Sequence, residues 1–165
     1  MSNNFLPLTV DELVDRINKI PKVNLAILPT PLEYLSNLSK ELEINLYIKR
    51  DDCTALAFGG NKTRHLEFIM TKAASNDYDC ILTGAGSQSN WCRQTVAAAN
   101  KLNIETFLVL MNGVKGNKMQ GNFLLYNILG ANVDVVEGED LEDIPKHLDK
   151  KYEELIKQGR KPLLI

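Results

Sequence analysis

Apolar positions along the chain change their period several times, and each change marks an element. Thr9 with Glu12 three residues later is a capping-box signature, and Val10, Leu13, Val14 and Ile17 follow at helical spacing, which predicts a helix ending near Lys19. Pro21, Pro29 and Pro31 then keep the chain extended, after which Leu32, Leu35, Leu38 and Leu42 lie at intervals that suit one helix face. Asn45 to Lys49 predicts a short strand. Leu66, Ile69, Met70 and Ala73 predict a helix opened by Lys62, directly after Gly59, Gly60 and Asn61. From Asp79 onward, apolar runs at Ile81-Leu82, Thr106 to Leu110, Val133 to Val136 and Leu163 to Ile165 alternate with helical stretches. Strands alternating with helices predict an α/β domain on a parallel sheet. In the last helix Leu141, Ile144, Leu148, Tyr152 and Leu155 form a stripe. Glu139, Asp140, Glu142 and Asp143 open that helix and Lys157 precedes Gly159 at its end, so the helix dipole accounts for the acids without a metal or a partner.

Composition narrows the class. With 165 residues and 44% hydrophobic content the chain can bury one sizeable core, and a boundary is expected near Asn76 and Asp77 where the alternation begins. The formal net charge is -2 and the basic residues are scattered, which gives no footprint for nucleic acid. No apolar run approaches the roughly 20 residues of a bilayer span, and Met1 to Leu8 lacks the pattern of a signal peptide, so a cytoplasmic protein without membrane contact is expected. Cys53, Cys80 and Cys92 form no close pair, which argues for reduced thiols over a disulfide framework or a zinc site.

Two segments carry candidate chemistry. Lys62 opens a helix, where the partial positive charge of the N-terminus disfavours a second positive charge and favours a neutral amine able to condense with a carbonyl cofactor. Gly59 and Gly60 let backbone pass close to a ligand, and Asn61 can cap the helix. A solvated surface lysine is the plain alternative. The second segment is Gly84-Ala85-Gly86 running into Ser87-Gln88-Ser89-Asn90, beyond the carboxyl end of a predicted parallel strand, where ligands of such sheets sit. Its glycines allow close approach, and the helix start that follows suits a carboxylate, although a capped helix without a ligand has the same sequence. A dinucleotide reading is weak, because Ser89 replaces the third glycine of that fingerprint.

Taken in order, Leu28-Pro29-Thr30-Pro31-Leu32-Glu33, Leu46 to Asp52, Phe58 to Arg64 and Leu82 to Asn90 resemble the pyridoxal-phosphate (PLP) enzymes of the tryptophan synthase β fold, fold type II. More narrowly they resemble the D-cysteine desulfhydrase and 1-aminocyclopropane-1-carboxylate (ACC) deaminase group, from about Pro29 to Ile165. The resemblance implies a three-layer α/β/α small domain, β-α-β-α-β-α-β, over residues 77–165, preceded in residues 1–76 by an incomplete part of a larger PLP-binding domain. It implies PLP held by Lys62, with Asn61 alongside and Asn90 donating to the phenolic oxygen. Ser87, Gln88 and Ser89 would hold a substrate carboxylate, Lys62 and Ser89 would serve catalysis, and no metal is implied. Trp91, beside that carboxylate, replaces the smaller polar residue usual in relatives. Arg93 and Gln94 match relatives but suit solvent equally, and Gly121-Asn122 and Gly130-Ala131 read as turns and caps.

The implied reaction is a β-elimination of D-cysteine to pyruvate, sulfide and ammonia. ACC deamination is the alternative within the group, and a non-catalytic fragment or small-anion-binding α/β module is the alternative outside it. A homodimer is implied, as is a second half carrying a phosphate cup, a partner for the pyridine nitrogen and a tyrosine. None of these occurs in the 165 residues, so a truncated chain with a complementing C-terminal half is expected, with apolar surface exposed before Asn76.

Overall fold

The computed structural model describes residues 8–112, 118–137 and 141–165. Helix α1 spans Val10–Asn18. Its capping box forms as expected, with Thr9 Oγ1 accepting the Glu12 N–H at 3.3 Å and the Glu12 carboxylate accepting the Thr9 N–H at 2.9 Å. No residue of α1 is buried, so its apolar face is present but uncovered. An extended strap follows and lies on helix α3 (Lys62–Ser75), because the buried Glu67 carboxylate accepts the N–H groups of Leu25 and Ala26, each at 3.0 Å.

One sequence expectation fails here. Leu32 does not start a helix. Leu32–Tyr34 is strand β1, paired antiparallel with β2 (Tyr47–Lys49), and helix α2 is confined to Ser36–Leu42. Cross-strand pairing wins over the leucine spacing, with Tyr34 opposite Tyr47 and their ring centroids 5.2 Å apart. A 3-10 turn at Asp51–Thr54 then leads toward α3.

The remaining chain alternates strictly. Strand β3 (Cys80–Gly86), helix α4 (Asn90–Lys101), strand β4 (Glu105–Met111), helix α5 (Gly121–Ile128), strand β5 (Asn132–Val136), helix α6 (Ile144–Lys157) and strand β6 (Pro162–Leu164) follow one another. The sheet order is β5-β4-β3-β6 and every pairing is parallel, with Cys80 opposite both Glu105 and Pro162. Successive strand residues point to opposite faces. Leu108 and Leu110 therefore pack against Cys92 and Val96 of α4 and Phe123 and Tyr126 of α5. Val109, Leu82 and Cys80 pack on the other side against Leu155 of α6. The result is the three-layer α/β/α arrangement expected from the sequence.

Helix α3 packs on α4. Leu66, Met70 and Ala73 join Ala97, Ala98, Ile81 and Leu163 in one apolar cluster that also takes in Leu25 and Leu56. Ile144 and Leu155 of the α6 stripe are buried, while Glu139, Asp140 and the Leu141 side chain lie outside the described residues. All three cysteines are free, Cys53 exposed and the other two buried. Among the described residues no helix is long and apolar enough to cross a membrane. The expected apolar surface before Asn76 is present, with Val10, Ile27, Leu32 and Phe58 each 64–77% exposed.

Candidate active site

The segment before Lys62 is a run of unusual backbone. Ala55, Ala57, Phe58, Gly59 and Gly60 all have positive φ, at 69°, 45°, 69°, 73° and 134°. Such angles are costly for residues with a Cβ, and they persist only where the surroundings over-determine them. Thr54 supplies much of that constraint, its Oγ1 accepting the Gly60 N–H at 2.9 Å and donating to the Gly60 carbonyl at 2.9 Å. Gly59 has no room for a side chain, since a Cβ would stand 1.8 Å from the Asp52 carbonyl oxygen. The loop delivers Lys62 as the first residue of α3. Lys62 is half-buried, and its side-chain amine makes no hydrogen bond or ion pair with another described residue.

Asn61 does not cap α3. It occupies the cap position, but with φ -63° and ψ -21° its backbone is already helical and its side chain makes no capping bond. The donor it would have satisfied, the Thr63 N–H, goes instead to Gln94 Oε1 of α4 at 2.8 Å.

The Gly84 to Asn90 loop is tied down in equal detail. A Cβ on Gly84 would meet the Val109 carbonyl oxygen at 2.7 Å and Ile144 at 2.9 Å, so this glycine serves strand and helix packing, not the approach of a ligand as expected. Ser87 is buried and donates its N–H to the Met111 carbonyl at 3.0 Å. Ser89 caps α4, its Oγ accepting the Cys92 N–H at 3.3 Å, while Tyr126 Oη donates to the Ser89 carbonyl at 2.9 Å. Gln88 spans to α5, accepting the Asn122 N–H at 2.9 Å and donating to the Gln120 carbonyl at 3.2 Å. Gly121, with φ 55°, lies against that amide, because a Cβ there would be 2.5 Å from Gln88 Oε1. Asn122 Nδ2 donates to the Gln88 carbonyl at 2.8 Å and to Asn90 Oδ1 at 3.1 Å. Those bonds orient the exposed Asn90 amide and leave its Nδ2 without a partner among the described residues. The Trp91 indole turns away into the sheet, donating to Thr83 Oγ1 at 2.9 Å and packing against the apolar clusters on α4.

Lys62 and Asn90 each open a helix, and the two openings are joined. Arg93 Nη2 donates to the Gly59 carbonyl at 2.9 Å, and Thr63 gives both its N–H and its hydroxyl to Gln94 Oε1, at 2.8 and 2.7 Å. Burial lowers the proton affinity of the Arg93 guanidinium. Neither residue is the solvent-facing polar group that the sequence allowed, for Gln94 is fully buried. Thr54, Thr63 and Asn122 were not singled out as site residues in the sequence, and one signal pointed to Gln94. A helix that reads Val96-Ala97-Ala98-Ala99 is small and apolar all round, which marks packing on several sides and requires a partner for any polar residue within it.

The fold belongs to a known class. The model of the pyridoxal-phosphate dependent enzymes matches residues 23–165, and the chain belongs to that family. It is 39% identical over 147 residues to a putative 1-aminocyclopropane-1-carboxylate deaminase of Pyrococcus horikoshii, covering 89% of this chain and 44% of that one. It is 36% identical over 156 residues to a D-cysteine desulfhydrase of Klebsiella pneumoniae, covering 92% and 47%. Among solved structures, an ACC deaminase homologue superposes with a TM-score of 0.87 at 36% identity, covering 95% of this chain and 47% of that one. Threonine deaminase isoform 2 of Solanum lycopersicum shares the fold, with a TM-score of 0.66 at 22% identity over 99% of this chain and 45% of its own. The chain spans about half the length of the curated relatives it matches.

Proposed function

We propose that the chain supplies the lysine-bearing and carboxylate-facing part of a PLP-dependent lyase acting on a small amino acid. The observation that supports this most is the joined pair of helix openings, which ties the start of α3, with its half-buried Lys62 amine unpartnered among the described residues, to the first turns of the helix that Asn90 opens with a free amide donor. These residues fit the cofactor: an amine to attach an aldehyde, and an amide nitrogen to donate to a phenolic oxygen. When bound, PLP supplies an electron sink for the pair left at Cα. Lys62 would hold the cofactor through its amine and, when that amine is free, would accept the proton from the substrate Cα. Ser89, whose oxygen caps α4, stands at that helix N-terminus beside Ser87 and Gln88, where the three would hold a substrate carboxylate. Asn61, exposed and free of any capping bond, would border the cofactor, and Trp91 would border the substrate.

D-Cysteine desulfhydration is the reading kept first: the C–S bond breaks with its electron pair on sulfur, which leaves as sulfide, and water completes pyruvate and ammonia. ACC deamination is the second, favoured by the identity to the Pyrococcus relative. We place both in a cytoplasmic homodimer in which residues 1–76 join a larger domain completed by a C-terminal half. Treatment with PLP and borohydride, followed by peptide mass analysis, tests the site; no adduct on Lys62 at saturating PLP overturns it. Pyruvate release from D-cysteine against 2-oxobutyrate release from ACC, with the C-terminal half added, separates the two substrates.

A further inference from the structure

Gln94 makes a contact that the site above leaves unexplained. Its amide is fully buried, its Oε1 takes both the N–H and the hydroxyl of Thr63, and its Nε2 has no partner among the described residues. A methionine or leucine would fill the same space without burying an unpaired donor, so packing alone does not account for an amide. The surroundings are shaped to admit it. Gly60 has φ 134°, and a Cβ there would stand 2.4 Å from Gln94 Nε2. Asn61, the residue placed to cap α3, makes no cap, and the Thr63 N–H, one of the four donors that a helix start leaves without an intrahelical partner, otherwise has only a long bond to the Gly60 carbonyl at 3.4 Å. Gln94 lies four residues beyond Asn90, on the same face of α4 and about 6 Å along its axis.

From this geometry we infer that Gln94 is a positioning residue: it caps α3 from α4 and so fixes where Lys62 stands relative to Asn90. The inference rests on the reading of Lys62 as the cofactor lysine. One helix cannot shift along the other without breaking the cap, and Arg93 on the Gly59 carbonyl closes the adjacent side. The lysine and the asparagine therefore move as one unit.

The test compares Gln94→Met, which keeps the volume and loses the acceptor, with Gln94→Glu, which keeps the acceptor, and with Val96→Ala, a packing lesion in the same helix. Two readouts are taken: borohydride-trapped PLP on Lys62, and amide hydrogen exchange at Thr63, which needs no cofactor. Gln94→Met is expected to speed Thr63 exchange by about tenfold and to lower trapping by a similar factor, as loss of a helix cap would. Gln94→Glu restores both, and Val96→Ala moves neither. Unchanged Thr63 exchange in Gln94→Met overturns the inference, as does trapping that falls equally in Val96→Ala. If the unaltered protein traps no PLP while Gln94→Met still speeds Thr63 exchange, the cap stands and the cofactor reading falls.

Discussion

Arg64 meets Asp51 in a two-pronged ion pair, its Nε 2.8 Å and its Nη2 2.7 Å from the two carboxylate oxygens. Thr30 joins them, its hydroxyl taking a bond from Arg64 at 3.1 Å and donating one to Asp51 at 3.2 Å. The cluster ties the first turn of α3 to the turn after β2 and to the proline-rich strap. Lys62 sits two residues before Arg64, so the base of the candidate site is anchored from three directions.

That pair gives the fold an acid-sensitive component. The hydrogen bonds from Arg64 hold the Asp51 carboxyl below its ordinary range, against the opposing effect of burial. The pair therefore contributes fully above pH about 4, the ordinary aspartate value, and its contribution fades as the pH falls through the lower folded value. Both partners are partly exposed, so Asp51→Asn should cost only about 1 kcal/mol at neutral pH. Urea denaturation across pH should show the gap between variant and wild type closing in acid; a gap of constant size would refute the assignment.

Two glycines with the same backbone angle should respond differently to alanine. Gly59 and Gly130 have φ of 73° and 78°, but a Cβ at Gly59 collides with the Asp52 carbonyl whereas one at Gly130 meets nothing within 4 Å. Gly130→Ala should therefore cost about 1 kcal/mol, the strain of the left-handed angle alone. Gly59→Ala adds a backbone collision and should exceed about 3 kcal/mol. Equilibrium unfolding of both variants settles the ranking.

The thiols should divide by burial. Burial pushes the Cys80 and Cys92 thiols up to about 12, so neither offers thiolate at neutral pH, while Cys53 is exposed. A thiol reagent added to the folded protein should label Cys53 alone, and denaturant should release the other two. Rapid labelling of Cys92 without denaturant would show that the α4 interface opens.

The sequence made residues 79–165 readable because their signals are local. Each strand is a short apolar run, each helix has its own stripe, and the alternation itself fixes a parallel sheet. Three features escaped, each for a physical reason. Leu32 carries a helical spacing, but its fate is set by Lys49 across an antiparallel strand pair. Asn61 has the right residue type and position for a cap, yet its own dihedrals are helical and its role passes to Gln94, which lies thirty-one residues beyond the Thr63 N–H that it accepts. Ala55, Ala57 and Phe58 take positive φ with no glycine to announce it, because Thr54 and Asp51 hold the loop from outside. Long-range partners, unlike periodicity, leave no mark on neighbouring residues.

Apolar residues on α1 and α3 should behave in opposite ways. Leu66 is 0% exposed in the cluster shared by α3 and α4, so Leu66→Ala should cost about 2 to 5 kcal/mol. Leu13 and Ile17 are 48% and 41% exposed on a helix with no buried residue, so Leu13→Glu combined with Ile17→Glu should leave stability within about 0.5 kcal/mol. The same double substitution should change behaviour in solution, because an uncovered apolar helix face favours association. Sedimentation over a range of concentrations should show self-association of the unaltered chain weakened in the double variant. A large loss of stability instead would mean that α1 is packed against the rest of the protein.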